Sequence, residues 1–273
     1  MRNDMIFSQA SLQEFLECKR RFYLRYILKL DWPAHRVEPP EGWEAKSSLG
    51  RVFHRLVHQH QIGIPPETLS GLAGEADLRD WWQSYLDHPV EGLSQVRHPE
   101  IVLSAPMGNS RLLAKYDLVS IHAGGQAIIV DWKTSKARSN RGLTTRMQTR
   151  VYRYLLVRAG ASLNSGQPIE PVKVEMVYWF AEDPARPARL KYDANQYQED
   201  EEFISDLIGR IEGLPVEGFE LTDDLSRCRF CPYRSLCDRG ERPGRLQDYE
   251  GELEATELGE LELDLEQIAE IEF

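Results

Sequence analysis

Two acidic residues and a lysine stand where a β-strand could present them to one substrate. Asp131 and Lys133 follow the apolar run Ala127–Val130, and side chains two positions apart project from the same face of a strand. A glycine pair at residues 124–125 predicts a hairpin that would bring the earlier Asp117 beside Asp131. Metal-dependent phosphodiester hydrolysis needs such carboxylates to hold Mg²⁺ or Mn²⁺, and a cation near the attacked phosphate. A simple Asp–Lys ion pair between strands is the alternative interpretation.

A histidine and a glutamine–tyrosine pair are further candidates. His54 would lie on a helix with His58 one turn later, so a pair of solvated histidines is the alternative to a metal ligand. Gln148 and Tyr152 are four residues apart and share one face of another predicted helix.

The helix that carries this pair is rich in arginine. Between positions 131 and 158 there are eight Lys or Arg and a single acid, Asp131. Arg146, Arg150 and Arg153 flank Gln148 and predict a basic face suited to a phosphate backbone. A solvated helix face would explain the same arginines.

The four cysteines of the chain divide into one near the start, Cys18, and three near the end, Cys228, Cys231 and Cys237. Four cysteines in a cytosolic chain of this size indicate metal binding in preference to disulfides. The Cys-x-x-Cys spacing alone could mean zinc, redox chemistry or chance. Pairing with one distant cysteine is unlike a zinc ribbon, which supplies two such knuckles.

The elements that must position these residues follow from hydrophobic periodicity. Helices are predicted over residues 8–30, 143–159 and 195–214. A further helix is predicted to begin at a cap, Ser47 or Ser48, and to end at residue 61. Residues 62–95 are predicted to be an irregular insertion with a short helix over 81–86. Strands are predicted over 100–105, 111–122, 126–133 and 172–180, with a loop over 31–45. This order predicts an α/β fold with a mixed central β-sheet flanked by helices.

Composition excludes little, but charge is unevenly distributed. The 273 residues are 41% hydrophobic and 28% charged, which is ordinary for a soluble globular protein. No long apolar run or secretion signal occurs, so we expect a cytoplasmic protein that is not bound to a membrane. The net charge of −11 comes entirely from residues 248–273, which contain eleven acids and no Lys or Arg. This tail is either a solvated segment or one that binds a partner or mimics DNA.

Four sequence motifs occur in one order along the chain. They are Gly50-Arg51-Val52-Phe53-His54, Asp117, Asp131-Trp132-Lys133 and Gln148-Thr149-Arg150-Val151-Tyr152. This order of GxxxH, a lone Asp, (D/E)xK and QxxxY resembles the RecB-like branch of the PD-(D/E)XK nuclease superfamily. The segment from Phe7 to Tyr23 also resembles that branch, so the resemblance covers roughly residues 7–240. In that branch, Glu is more frequent at the position of Asp131, and Pro is common at the position of Lys19.

The resemblance implies a restriction-endonuclease-like core and a role for each motif residue. Lys133 would orient the attacking water and offset charge on the phosphate, while Gln148 and Tyr152 would position the substrate. The implied ligands of Mg²⁺ or Mn²⁺ are His54, Asp117, Asp131 and the backbone carbonyl of Trp132. Glu100 is a further acid at the start of a predicted strand.

The cysteines are similar to those of the iron–sulfur nucleases of this superfamily, which include AddB-type and CRISPR-adaptation nucleases. The resemblance implies a [4Fe–4S] cluster, with zinc as the alternative, that joins the N- and C-terminal segments. The expected organisation is an N-terminal helix over 1–30 with the first cluster cysteine, a nuclease core over 46–214, a cysteine-rich segment over 215–247 and the acidic tail over 248–273.

These implications give one hypothesis and two rivals. The hypothesis is a metal-dependent DNA nuclease, an exonuclease on single-stranded DNA or DNA ends, that serves DNA repair, recombination or CRISPR adaptation with protein partners. One rival is a non-catalytic DNA-holding subunit of a larger complex, which the intact carboxylate–lysine set disfavours. The other is a zinc-stapled interaction protein, which would leave that set without a purpose. No P-loop helicase signature occurs, so unwinding would need a partner.

Overall fold

A computed structural model describes residues 5–30, 43–134, 140–229 and 231–240, without the side chains of 43–47 and 140–141. Most of the predicted loop over 31–45 and the whole acidic tail over 248–273 lie outside the described residues. In the part of the chain that is described, no helix is both long and apolar enough to cross a membrane.

The centre of the fold is one six-stranded mixed sheet. Its strands are β1 (Ile6–Phe7), β2 (Arg97–Met107), β3 (Ser110–Ile121), β4 (Ala127–Lys133), β5 (Val174–Phe180) and β6 (Ala188–Lys191). The order is β1-β3-β4-β5-β6, and β2 pairs with β3 in addition. The β1–β3 and β4–β5 pairs are parallel, whereas β2–β3, β3–β4 and β5–β6 are antiparallel. The prediction of a mixed central sheet is therefore confirmed.

Helices cover both faces of the sheet. They are α1 (Gln9–Glu17), α2 (Lys19–Phe22), α3 (Trp43–Gln61), α4 (Pro66–Ser70), α5 (Ala76–Asp87), α6 (Asn140–Leu143), α7 (Met147–Ala159) and α8 (Ala194–Gly213). A short π-helix over Tyr23–Ile27 follows α2, and 3₁₀ turns cover Gly160–Asn164, Pro171–Lys173, Val216–Gly218, Leu225–Cys228 and Arg234–Cys237.

Two separate apolar cores lie on the two faces. The larger joins α1, α7 and α8 to the sheet, with Phe15, Leu155 and Ile208 among its buried residues. The smaller joins α3 and α5 to the opposite face and is strongly aromatic; Phe53 stacks on Trp179 with ring centroids 6.1 Å apart. Because β4 is covered on both faces, every one of its residues is buried, which accounts for its continuous apolar run.

Several predicted boundaries were wrong for local reasons. The single helix expected over 8–30 breaks at Cys18, whose extended backbone ends α1. The helix α3 begins at Trp43, so neither Ser47 nor Ser48 caps it. The helix expected over 143–159 is divided, because Arg146 has an extended backbone and α7 begins after it. The helix expected over 81–86 extends over all of α5. The strand β6, only four residues long, was not predicted.

Candidate active site

The register between β3 and β4 brings the two aspartates together. The paired residues run from Ile121 opposite Ala127 to Leu118 opposite Val130. Beyond Leu118 the backbone pairing ends, and Oδ2 of the Asp117 side chain accepts a hydrogen bond from the backbone amide of Trp132 at 2.9 Å. Asp117 is therefore fixed beside Asp131 by a hydrogen bond to the strand that carries the second carboxylate.

The helix α3 adds His54 to this pair. Its Nδ1 lies 3.4 Å from Oδ1 of Asp117, and its side chain is 10% exposed. Burial raises the pKa of Asp117, but the charge and hydrogen bond of His54, the Trp132 amide and the Lys133 charge outweigh it and hold this pKa below its ordinary value. Asp117 is therefore an ionised carboxylate at neutral pH.

Asp131 and Lys133 meet on the same face of β4, as their spacing predicted. The Nζ of Lys133 lies 3.2 Å from Oδ2 of Asp131, and both side chains are nearly fully buried. A buried ion pair is weak evidence for stability, because desolvation of two charges offsets most of their attraction. Its position at the end of a strand, beside a second carboxylate, is therefore better explained by chemistry than by stability.

The amide of Gln148 holds Asp131 from the helix side. Its Nε2 donates a hydrogen bond of 2.7 Å to Oδ1 of Asp131, and its Oε1 accepts one of 3.4 Å from the Tyr178 hydroxyl. Gln148 is buried, so its side chain is fixed between these two partners. The structure thus gives Gln148 a direct role in orienting a carboxylate, which its spacing alone did not indicate.

The Tyr152 hydroxyl is hydrogen-bonded to the sheet. It donates to the backbone carbonyl of Lys115 at 2.6 Å and accepts from Nε2 of Gln9 at 3.5 Å. Burial raises the pKa of Tyr152 well above its ordinary value, and Asp131 and Asp117 raise it further. The phenol therefore stays protonated and ties α7 to β3 two residues before Asp117.

Gln9 was missed by the sequence analysis. It lies in the first turn of α1 and is 9% exposed, and its contact with Tyr152 joins two residues 143 positions apart. Because α1 begins with several polar residues, Ser11 and Gln13 among them, nothing in the sequence distinguishes Gln9 from its neighbours. Only the packing of α1 against α7 reveals it.

Three other residues singled out in the sequence have different surroundings from those expected. Arg153 is buried and lies 3.5 Å from Asp200, and Arg150 pairs with the same carboxylate at 2.8 Å. The predicted basic face is therefore wrong for these two arginines, which face α8. Glu100 pairs with Lys115 and has a left-handed φ of 53°.

Trp132 separates the two charged residues of β4. Its indole is buried in the smaller core, 6.1 Å from the Tyr85 ring between centroids. Its amide is hydrogen-bonded to Asp117. The side chain thus anchors the strand end, and the role predicted for its carbonyl stays a prediction.

The four cysteines line one cavity at the other end of α1. Cys18, Cys228, Cys231 and Cys237 share it with Arg21. Burial raises the pKa of the Cys237 thiol to about 11, with contributions from Cys231, Cys18 and Cys228. Cys18 and the three later cysteines, more than 200 positions away in sequence, thus line the same cavity.

The donors of the two sites differ in chemical character. The groups around Asp117 are carboxylates and an imidazole, a donor type that divalent cations use, whereas the cysteine cavity offers thiols, the donor type of thiophilic metals and iron–sulfur clusters. Among the described residues, no three His, Cys, Asp or Glu side chains converge closely enough to form a ready-made metal site. Mg²⁺ keeps several of its own waters and needs only one or two carboxylates, so the carboxylate set still fits it.

The chain has relatives among known proteins. The sequence profile of the PD-(D/E)XK nuclease superfamily matches residues 6–238. No curated protein sequence matches the chain. Among solved structures, the protein SSO0001 is similar with 15% identity and a TM-score of 0.40 over 87% of each chain. A candidate exonuclease from Eubacterium rectale is similar with 9% identity and a TM-score of 0.44, over 75% of this chain and 79% of that one. Neither structural similarity bears on the chemistry of this chain.

Proposed function

Since this chain belongs to the PD-(D/E)XK nuclease superfamily, we propose that it is a Mg²⁺- or Mn²⁺-dependent deoxyribonuclease. The observation that carries this proposal is the meeting of Asp117, Asp131 and Lys133 at the β3–β4 edge, with Gln148 bound to Asp131. A nuclease needs carboxylates and a cation in one place, and a purely structural ion pair would not need the second carboxylate or the amide.

Each residue has a distinct task in this proposal. Asp117, Asp131, His54 and the Trp132 carbonyl hold the cation. When bound, Mg²⁺ or Mn²⁺ supplies an activated water and Lewis-acid stabilisation of the phosphate. Lys133 orients the attacking water and stabilises the negative charge that develops on the phosphate.

Gln148 and Tyr152 act mainly by positioning the proposed metal ligands. Gln148 keeps Asp131 in one orientation, and Tyr152 keeps α7 on β3 beside Asp117. Precise placement of such groups is worth a large part of the rate acceleration in many enzymes. Attack of water on the phosphorus, with the 3′ oxygen as the leaving group, would give products with 5′-phosphate and 3′-hydroxyl ends.

The preferred substrate is proposed to be single-stranded DNA or DNA ends, in DNA repair, recombination or CRISPR adaptation. The support for this part is the order of the GxxxH, Asp, (D/E)xK and QxxxY motifs, which resembles the RecB-like branch. Protein partners from such a complex would supply any unwinding.

The four cysteines are proposed to bind a [4Fe–4S] cluster, with zinc as the alternative. The support is their position around one cavity. In this proposal the cluster joins α1 to the cysteine-rich segment and so closes a very long loop of the chain.

The test of the nuclease proposal uses protein purified without oxygen and end-labelled linear or circular DNA, single- or double-stranded. We expect hydrolysis only with Mg²⁺ or Mn²⁺. Shortened products should form from linear DNA but not from circular DNA, because an exonuclease needs a free end. DNA binding by the wild-type protein without hydrolysis in either metal would contradict the proposal and favour a DNA-holding subunit.

A further inference from the structure

Arg21 combines a contact to a cysteine sulfur with a buried positive charge beside the same cavity. Its backbone amide donates a hydrogen bond of 3.4 Å to Cys18 Sγ. Its side chain, 13% exposed, lines the cavity that the four cysteines share. Backbone donors and charges near the sulfurs are two of the means by which proteins tune a metal–thiolate site.

Two carboxylates of α1 fix the position of this guanidinium. Arg21 Nε lies 3.1 Å from Oε1 of Glu14, and Nη2 lies 2.5 Å from Oε2 of Glu17. An arginine guanidinium is always protonated in a protein. The charge is therefore permanent and is held in place.

The ion pairs around Glu14 extend into a network of three arginines and three carboxylates. Glu14 is buried and is shared by two arginines, because Arg25 Nη1 also lies 2.7 Å from its Oε2. The second partner of Arg21, Glu17, is shared with Arg227 at 3.1 Å, and Arg227 also lies 3.0 Å from Asp224. This network holds the Arg21 guanidinium in one position beside the cysteine cavity.

We infer that the Arg21 guanidinium compensates negative charge at the four-cysteine site. Four thiolates around a divalent metal, or around a [4Fe–4S]²⁺ cluster, carry a net charge of two minus by simple charge counting. A guanidinium against that cavity stabilises the deprotonated, metal-bound cysteines, because metal binding requires thiolates. The inference rests on the proposed cysteine site and goes beyond it, by assigning a role to a residue that is not a ligand.

Neighbouring arginines have other contacts. Arg20 lies over the Tyr23 ring at 5.6 Å, and Arg25 lies over the Tyr233 ring at 5.7 Å. Arg234 is buried and also lines the cavity, and it donates to the backbone carbonyl of Cys231 at 2.9 Å. Arg239 lines the cavity but is exposed, so its charge is screened by water and salt. Arg25 is the best control, since it shares Glu14 with Arg21 while facing Tyr233.

The experiment compares full-length wild-type protein with Arg21→Gln, Arg21→Lys and Arg25→Gln, all purified without oxygen. Iron, sulfide and zinc are quantified first, and thermal unfolding is recorded for each variant. Release of the bound metal to a strong chelator is then followed over time. Both glutamine variants leave Glu14 with one arginine, so a difference between them cannot come from the loss of one Glu14 ion pair.

We expect Arg21→Gln to release its metal about 10- to 100-fold faster than wild type, as is usual when a group that supports metal ligands is removed. Arg21→Lys should recover much of this loss, because the charge remains, and Arg25→Gln should release metal at nearly the wild-type rate. Equal release rates for the two glutamine variants would overturn the inference and leave the cysteine site intact. Wild-type protein with neither iron nor zinc would instead overturn the proposed site, and the inference with it.

Discussion

Gln148 on α7 and Asp131 on β4 are joined by a hydrogen bond of 2.7 Å from Nε2 to Oδ1. The bond links a buried helix to the end of a buried strand, and it leaves Oδ2 of Asp131 facing Lys133 at 3.2 Å. The two oxygens of one carboxylate therefore have different partners. This arrangement fixes the rotation of the carboxylate, and with it the direction in which a metal could approach.

Replacement of Gln148 should lower the rate without weakening DNA binding. Gln148→Ala frees the Asp131 carboxylate to rotate, and we expect single-turnover hydrolysis to fall about 10- to 100-fold, as for other groups that orient metal ligands. DNA affinity, measured in Ca²⁺ to prevent hydrolysis, should remain unchanged. Gln198→Ala, which removes an exposed glutamine of α8 that bonds Glu202, is the matched control. Parallel losses of affinity and rate would indicate a direct substrate contact instead.

Asp131→Ala and Lys133→Ala should each abolish detectable hydrolysis while the fold persists. The first removes a proposed metal ligand and the second removes the cation beside the reacting phosphate. Circular dichroism should show wild-type secondary structure in both. Glu170→Ala, at a surface ion pair with Lys173, should keep full activity. Full activity of the two site variants at normal metal concentration would refute the assignment of these residues.

His54→Ala should raise the metal concentration needed for activity. His54 lies 3.4 Å from Asp117, so its loss removes a proposed ligand and loosens a carboxylate. We expect the Mn²⁺ concentration at half-maximal rate to rise about 10- to 100-fold, with partial recovery of rate at saturating metal. His58→Ala, one helical turn away, is the control. An unchanged metal requirement in His54→Ala would show that the histidine is not a ligand.

Tyr152→Phe should lower the free energy of unfolding and change the hydrolysis rate only slightly. The hydroxyl donates to the Lys115 carbonyl at 2.6 Å, and the loss of a typical buried hydrogen bond costs about 0.5–1.5 kcal/mol. Chemical denaturation should show this decrease in the free energy of unfolding, with a small change in the hydrolysis rate. A large rise in KM with normal stability would instead place the hydroxyl on the substrate.

Cys18→Ser and Cys231→Ser should be equally damaging, because one cysteine from each end of the chain is needed to close the site. Anaerobically purified wild-type protein should contain iron and sulfide, whereas both variants should lose most of the bound metal and unfold at lower temperature. One zinc per chain and no iron in wild type would reverse the choice of metal. Metal content at the wild-type level in Cys18→Ser would refute the proposed link between the two segments.

Local periodicity was enough to predict much of the fold and part of the site. The buried run of β4 and the two-residue spacing of Asp131 and Lys133 determine which face those side chains share, because alternation along a strand is a local property. The hairpin signal at residues 124–125 gives the neighbour relation of Asp117 and Asp131 for the same reason. Short elements such as β6 have too few residues for a periodic signal, and the prediction of α3 failed at its N-terminal boundary.

Contacts between distant elements were decided by tertiary packing alone. Arg153 belongs to an apparently basic helix, yet its side chain is buried beside Asp200, because α8 covers that face of α7. The contact of Gln9 with Tyr152 exists only because α1 packs on α7. The amino-acid sequence determined which residues are candidates for the chemistry. The tertiary structure decided which of them meet, since hydrogen bonds and ion pairs across long loops depend on how whole helices pack.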